Sequence, residues 1–397
     1  MESLDLKQPE GSGNGAPTEK KFTRLAIACG GTGGHFFPGL STARYFQKNY
    51  GEVLLFLGGK NTETQSAIAE NYGIKTVIVK ASPRPRGLGS VFGFTLDFFT
   101  GVLEARRKLK EFQPDAMLGM GSFASVTAAI AARWLHIPLF LHEGNARIGK
   151  ANRILSRFAK HLAISFPPVN AEGCKCPISC TGMPVRPEIL GEKIPQEKAL
   201  ELLNQRYHIA FKPGRPVLLI FGGSQGAQVF NRVLPEALLE LGPAAPQVIH
   251  LTGKGKLEEV TQLYTSAPFP HLTIAEADFM ATLYSACDVI VCRAGASSIA
   301  EISLFGKYAF LIPYPFAAEH HQDDNAAVLE GAGAAMVISN DCFTRERALE
   351  LLESWLSRQE EYRRLAGNGS YIARPDATAD LVRLMQDYVV YGSKVSF

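Results

Sequence analysis

A chain of 397 residues is longer than one ordinary hydrophobic core supports and implies two domains. With 46% hydrophobic and 20% charged residues, it has the composition of a globular enzyme. A formal net charge of +3 gives no whole-molecule field for nucleic acid or membrane, so any basic surface has to be local.

Residues 1–21, MESLDLKQPEGSGNGAPTEKK, lack the apolar centre of a signal peptide and read as a disordered tail. No apolar run reaches the roughly 18–20 residues that span a bilayer. The expectation is a cytoplasmic protein that at most touches a membrane.

Short apolar runs then alternate with amphipathic stretches. Strands are expected at 25–29, 53–57, 75–79, 116–120, 138–142 and 161–165, with helices at 62–72, 96–112 and 125–135 between them. The pattern starts again with strands at 217–221, 248–251, 272–274, 288–292, 309–312 and 335–338. Helices are expected here at 225–241, 297–305, 322–330 and 344–357. Strand–helix alternation means parallel sheets covered on both faces, and two series mean two doubly wound, Rossmann-like α/β domains. The Pro- and Gly-rich segment 166–195 is the natural boundary, which gives domains at 22–185 and 186–374. A last helix near 375–390 is free to pack back on the first domain. Each series opens with a strand running into a glycine turn, and ligands of such sheets bind beyond the carboxyl ends of the strands. Two such edges facing each other place a ligand cleft between the domains.

The first turn, GGTGGH, has four glycines in five positions and lets backbone N–H groups approach an anion or a sugar. It is neither a Walker A loop nor a dinucleotide fingerprint. His35 stands at the mouth of the following helix, where an imidazole near its working pH serves as a proton acceptor or simply as a cap. In FGGSQGA, Ser224 is placed to cap the next helix, and a cap position is also an anion site. In CRAGASSIAE, small residues let a ligand lie close to a helix start, and Glu301 one turn later suits the two hydroxyls of a ribose or a favourable helix dipole. Gln322 both donates and accepts, as sugar hydroxyls require. Its neighbours His320, His321, Asp323 and Asp324 read as a solvated helix start rather than a metal site. Asn145 follows a strand end, and Arg186 lies at the hinge with a guanidinium suited to phosphate.

Seven cysteines are present. Cys29, Cys287 and Cys292 sit in or beside apolar runs, where a free thiol acts as a small hydrophobe. Cys174, Cys176 and Cys180 cluster without a second ligand pair at zinc spacing and read as reduced thiols in a loop. Between residues 83 and 110, apolar residues that include Phe98 and Phe99 are flanked by Arg84, Arg86, Arg106, Arg107, Lys108 and Lys110. That mixture suits an anionic lipid surface or a core helix with its loop.

GGTGGH, GMGSF, HEGN, GMPVR, FGGSQGA, CRAGASSIAE and HQDDNA occur in one order and spacing. In these motifs the chain resembles the MurG family, the UDP-N-acetylglucosamine–N-acetylmuramyl-(pentapeptide) pyrophosphoryl-undecaprenol N-acetylglucosaminyltransferases. The resemblance implies the glycosyltransferase-B fold and transfer of N-acetylglucosamine to a lipid-linked muramyl peptide at the cytoplasmic face of a bacterial inner membrane. Rival readings are a related transferase acting on another glycolipid, and a non-catalytic nucleotide-sugar-binding subunit. It implies UDP-N-acetylglucosamine, undecaprenyl-pyrophosphoryl-muramyl peptide, an anionic membrane surface and other cell-wall synthesis proteins as partners, with no nucleic acid, cofactor or metal. By resemblance, Ser224 and Arg186 contact phosphate, and Ala296, Ser297, Ser298, Ile299 and Ala300 surround pyrophosphate and ribose. Glu301 holds the ribose, Gln322 the sugar, and Ala277 marks the uracil side. Thr32, Gly33, Gly34 and Asn145 face the sugar and acceptor, and His35 is the candidate general base. The chain departs from the family's usual residues at Ala277, Ser122, Phe123, Met183 and His321.

Overall fold

The computed structural model describes residues 21–80, 88–191 and 193–392. The expected tail up to residue 20, together with Arg84 and Arg86, lies outside them. The first sheet is built from β1 (Arg24–Gly30), β2 (Glu52–Gly58), β3 (Lys75–Ile78), β4 (Ala116–Gly119), β5 (Leu139–Glu143), β6 (His161–Ile164) and β7 (Ile178–Cys180). The second is built from β8 (Val217–Phe221), β9 (Gln247–Leu251), β10 (His271–Ile274), β11 (Val289–Cys292), β12 (Tyr308–Leu311) and β13 (Ala335–Val337). Their orders are β3-β2-β1-β4-β5-β6-β7 and β10-β9-β8-β11-β12-β13, and every pairing is parallel.

Parallel strands covered by helices on both faces need apolar side chains on both. Along β1, Leu25, Ile27 and Cys29 enter one core with Phe36, Leu40 and Phe46 of the helix Gly33–Asn49. Ala26 and Ala28 point the other way, to Val102, Ala105 and Leu109 of the helix Leu88–Phe112. Along β8, Val217, Leu219 and Phe221 share a core with Ile299 and Ile302, while Leu218 and Ile220 meet Phe230, Leu234 and Trp355.

The segment 166–195 is less of a linker than its composition suggests. Its middle forms β7, which pairs with β6 from Leu162↔Ile178 to Ile164↔Cys180 and closes the first sheet. A three-residue, half-exposed edge strand carries too little periodicity to be read beforehand. Cys174 and Cys176 pack half-buried against this sheet, and burial pushes both thiols up, Cys176 to about 11. The chain crosses to the second lobe just after, at Gly182 (φ 93°), where an added Cβ would lie 2.4 Å from Arg374 Cβ. Outgoing and returning crossings therefore touch, and only glycine permits it. Several short helices lie outside the expected set, among them Lys150–Leu155, Gln196–Tyr207 and Met280–Ala286.

The final helix, Ala377–Tyr391, returns to the first sheet. Leu381 and Met385 are fully buried there, the Tyr388 ring meets Phe140 edge-on at 5.5 Å, and Tyr50 Oη donates to Gln386. Leu381→Ala should lower stability by about 2–5 kcal/mol, read by urea unfolding. An unchanged midpoint would mean that the helix is not part of that core.

Candidate active site

In each sheet the strand order reverses beside the first strand, between β1 and β4 and between β8 and β11. The turns leaving these four strands are GGTGGH, GMGSF, FGGSQGA and CRAGASS. The two sheets thus present their small-residue motifs at the switch points, where open parallel sheets bind ligands.

The helices that follow begin at Gly33, Ser122, Gln228 and Ala296, and none of their N-caps bonds a backbone N–H with its side chain. At Gly33, Gln228 and Ala296 the first N–H groups remain offered to a ligand, backed by the helix dipole. Ser224 does not cap the third helix as expected. The N-cap is Ala227, and Ser224 stands exposed in a turn closed by Gly226 N donating to Gly223 O at 2.9 Å. The helix starts three residues later than its composition suggests because Gly223 and Gly226 take positive φ, 81° and 65°. At the fourth helix, Ile299 N donates to Gly295 O, and the Ile299 side chain is in the core. Ala296, Ser297 and Ser298 therefore offer N–H groups, while Ile299 and Ala300 supply shape.

Glu301, one turn into that helix, is buried but approaches the hinge. Tyr284 Oη donates to its Oε2 at 2.9 Å, and Arg186 reaches its Oε1 at 3.8 Å. Burial raises the Glu301 pKa, while Arg186 and the tyrosine hydroxyl oppose that rise. The Arg186 guanidinium also lies 5.6 Å from the ring of Phe37, on the first lobe's glycine-turn helix. Ala277 lies half-buried beyond β10, and Gln322 Oε1 accepts from Tyr314 N at 2.9 Å.

On the opposite wall, Thr32, Gly33 and Gly34 are exposed, and Thr32 Oγ1 lies 3.0 Å from His35 Nδ1. Burial lowers the His35 pKa, Glu143 pushes it back up, and His321 from the second lobe lowers it again. His35 is therefore neutral at neutral pH. Glu143 is buried and accepts from Asn145 N, Asn145 Nδ2, Gly149 N and Asn152 Nδ2 at 2.9–3.2 Å. A carboxylate so occupied holds the loop after β5 in shape.

Asn325, which composition alone does not single out, joins the walls. It is fully buried; its Oδ1 accepts from Ala146 N at 2.9 Å, and its Nδ2 donates to Asn145 Oδ1 and to Ala294 O, both at 3.1 Å. Around it, Arg147 pairs with Asp324, and Lys150 and Arg153 pair with Glu319. Asp324 therefore binds the other lobe rather than only solvating a helix start, and Glu319 binds it too. Gly144 makes room for Met183: a Cβ there would stand 2.9 Å from Met183 Cε. Among the described residues, no three His, Cys, Asp or Glu side chains gather as a metal ion would require.

Residues 25–164 match the glycosyltransferase family 28 N-terminal domain, and residues 217–371 match the C-terminal domain of the same family. The UDP-N-acetylglucosamine–N-acetylmuramyl-(pentapeptide) pyrophosphoryl-undecaprenol N-acetylglucosamine transferase of Desulforamulus reducens is 32% identical over 373 residues, covering 91% of this chain and 98% of the relative. The same-named protein of Magnetococcus marinus is 34% identical over 376 residues, with 92% and 97% covered. The chain belongs to the MurG family. A crystal structure of MurG from Acinetobacter baumannii superposes with a TM-score of 0.74 at 28% identity, covering 92% of this chain and 99% of that one. A UDP-GlcNAc 2-epimerase from Neisseria meningitidis, at 16% identity and TM-score 0.63, shares the two-domain fold alone.

The interlobe contacts of this MurG-family chain predict a measurable opening. Arg147→Ala combined with Asp324→Ala should widen the lobe separation in solution, seen as a larger radius of gyration by small-angle scattering. Lobes that stay equally close in the double variant would show that the ion pair is incidental.

Proposed function

We infer that this chain transfers N-acetylglucosamine from UDP-N-acetylglucosamine to the 4-hydroxyl of the lipid-linked muramyl pentapeptide, lipid I, giving lipid II for peptidoglycan synthesis. It is a glycosyltransferase that carries both domains of family 28 and covers 98% of the Desulforamulus reducens relative. The observation that carries the reading is Arg186 between the lobes, its guanidinium facing Phe37 on the first lobe's glycine-turn helix and Glu301 on the second lobe's helix that starts at Ala296.

In this reading the donor lies against the second lobe. Glu301, held by Tyr284, accepts from the ribose hydroxyls. The loose 3.8 Å contact leaves Arg186 able to turn its guanidinium to a phosphate. The turn at Ser224 and the N–H groups of Ala296, Ser297 and Ser298 stabilise charge developing on departing UDP. Backbone near Ala277 meets the uracil. Because Tyr314 N occupies Gln322 Oε1, the Gln322 amide addresses sugar hydroxyls through its Nε2. Thr32, Gly33, Gly34 and Asn145 face the sugar and acceptor.

The reaction is an inverting displacement. The acceptor oxygen attacks the anomeric carbon, the bond to UDP breaks, and the hydroxyl proton passes to His35. With its proton on Nδ1 and directed at Thr32 Oγ1, the imidazole keeps Nε2 open as the acceptor. The lowered pKa keeps it unprotonated at working pH.

No helix among the described residues is long and apolar enough to cross a membrane. Contact with a lipid-linked acceptor is assigned to the helix Leu88–Phe112 at the cytoplasmic surface of the membrane. Leu96, Phe99 and Leu103 are 56%, 60% and 54% exposed, and their spacing puts them on one stripe, with exposed Arg107 and Lys110 further along. Phe98 does not join the stripe as expected from sequence. It packs inward against the core that holds Ala26, Ala28 and Val102, because adjacent helical residues point about 100° apart.

Three outcomes are expected. Incubation with labelled UDP-N-acetylglucosamine and undecaprenyl-pyrophosphoryl-muramyl peptide should yield a heavier labelled lipid; only free sugar would refute the transfer. His35→Ala should cut turnover by about 10²–10⁴-fold while sparing UDP affinity, and near-normal turnover would remove it as the base. Leu96→Ser with Phe99→Ser should lose co-sedimentation with anionic phospholipid vesicles while keeping UDP binding. Undiminished co-sedimentation would place the lipid contact elsewhere.

A further inference from the structure

The second lobe buries a row of polar side chains that the reaction does not use. Tyr264 and His250 are fully buried, as is Thr252, and Asn231 is nearly so. Tyr264 Oη lies 3.1 Å from His250 Nδ1, His250 Nε2 lies 3.1 Å from Asn231 Oδ1, and Asn231 Nδ2 donates to Thr252 O at 3.0 Å. A backbone carbonyl only accepts, so the far end fixes the polarity of the row. Asn231 must turn its amide nitrogen to Thr252 and its oxygen to His250. His250 must then carry a proton on Nε2, and in the neutral ring Nδ1 accepts from the Tyr264 hydroxyl. Burial pushes the His250 pKa down to about 3, so the ring is neutral throughout the working range.

The row ends where the glycine turn is braced. A Cβ on Gly226 would sit 2.0 Å from Thr252 O, and one on Gly253 would sit 2.5 Å from Gln225 O. Lys254 N donates to Ser224 O at 3.5 Å, and Lys256 Nζ donates to Gln225 O at 3.0 Å. The strand side of the same loop is tied down by Thr252 N donating to Ile274 O at 2.9 Å. Asn231 itself lies in the first turn of the helix that the glycine turn leads into. The loop after β9 is thus a rest for the glycine turn, and the buried row joins that rest to the helix.

We propose that His250 and Asn231 are positioning residues for the nucleotide-sugar donor: through Thr252 they hold the turn Gly222–Gly226 at the place where its N–H groups meet the pyrophosphate. This rests on the reading that the turn is the phosphate contact. The Thr252 carbonyl, acting through Asn231, selects the imidazole tautomer, and Tyr264 supplies the donor that Nδ1 then needs. A ring protonated on Nδ1 alone would set a lone pair against Asn231 Oδ1. The amide would then reverse and turn its oxygen on the Thr252 carbonyl.

The test separates phosphate affinity from affinity for the rest of the nucleotide, with UDP and uridine titrated into the full chain. His250→Phe keeps an aromatic ring and removes both hydrogen bonds. It should weaken UDP binding about tenfold and change uridine binding by less than about twofold. Tyr264→Phe removes a single hydroxyl and should weaken UDP binding about threefold. If His250→Phe does not fold, the Tyr264→Phe result decides by itself. Equal losses for UDP and uridine would mean a general loosening of the lobe and overturn the proposal. Gly226→Ala, which forces the turn away from Thr252, is the control on the underlying reading. If it abolishes UDP binding while folded His250→Phe and Tyr264→Phe variants bind UDP normally, the turn remains the phosphate contact and the proposed row is discarded. If Gly226→Ala binds UDP normally, both fall together.

Discussion

A parallel strand can be followed by another only through a crossover, so all the loops at one sheet edge leave strands in the same direction. Every feature of the cleft depends on that constraint. Strand order reverses beside β1 and beside β8, and the crossovers diverge there to opposite faces. The gap they leave is lined by helix starts, and at none of the four does the N-cap side chain take a backbone N–H. Glycine and alanine at these turns follow from the geometry, because a Cβ at Gly30 would stand 2.6 Å from Gly58 O.

Two lobes make one site only if something sets the distance between them, and here that link is mainly polar. The Asn325 amide needs one donor and two acceptors at once, and finds two of the three on the first lobe. Ion pairs of Arg147, Lys150 and Arg153 surround it. Contacts of this kind release at small net cost when water replaces them. The outgoing and returning crossings touch at Gly182 and Arg374, so the covalent connection between the lobes runs through one place. Such an arrangement suits an enzyme that must admit a nucleotide sugar, close over it to exclude water, and release UDP.

Buried partners behind the visible motifs give them their chemistry. Glu301 is oriented by Tyr284, which lies on a short helix that no pattern marked. His35 is tuned by Glu143 from its own lobe and by His321 from the other. Glu143 is occupied by four N–H groups, so its part is to shape the Asn145 loop. Each partner lies far away in sequence or acts through a hydrogen bond, and neither leaves a periodic signal.

Both sheets, their parallel sense and the glycine turns were legible in the sequence, because a strand buried on both faces is an apolar run and a close backbone approach demands glycine. Runs such as VLLIF and VIVC state this directly. Ser224 was misread as a cap because two positive-φ glycines delay the helix to Gln228. Phe98 and Phe99 look alike in sequence and differ only in which way a helix turns them. β7 escaped notice because an edge strand of three residues needs its neighbour to exist. Composition and spacing thus determined the two folds and the chemistry each edge can offer. Tertiary structure alone decided which groups are neutral, which are spent on one another, and that Asn325 and Arg186 bring the two edges together, since burial and distance arise only once remote segments meet.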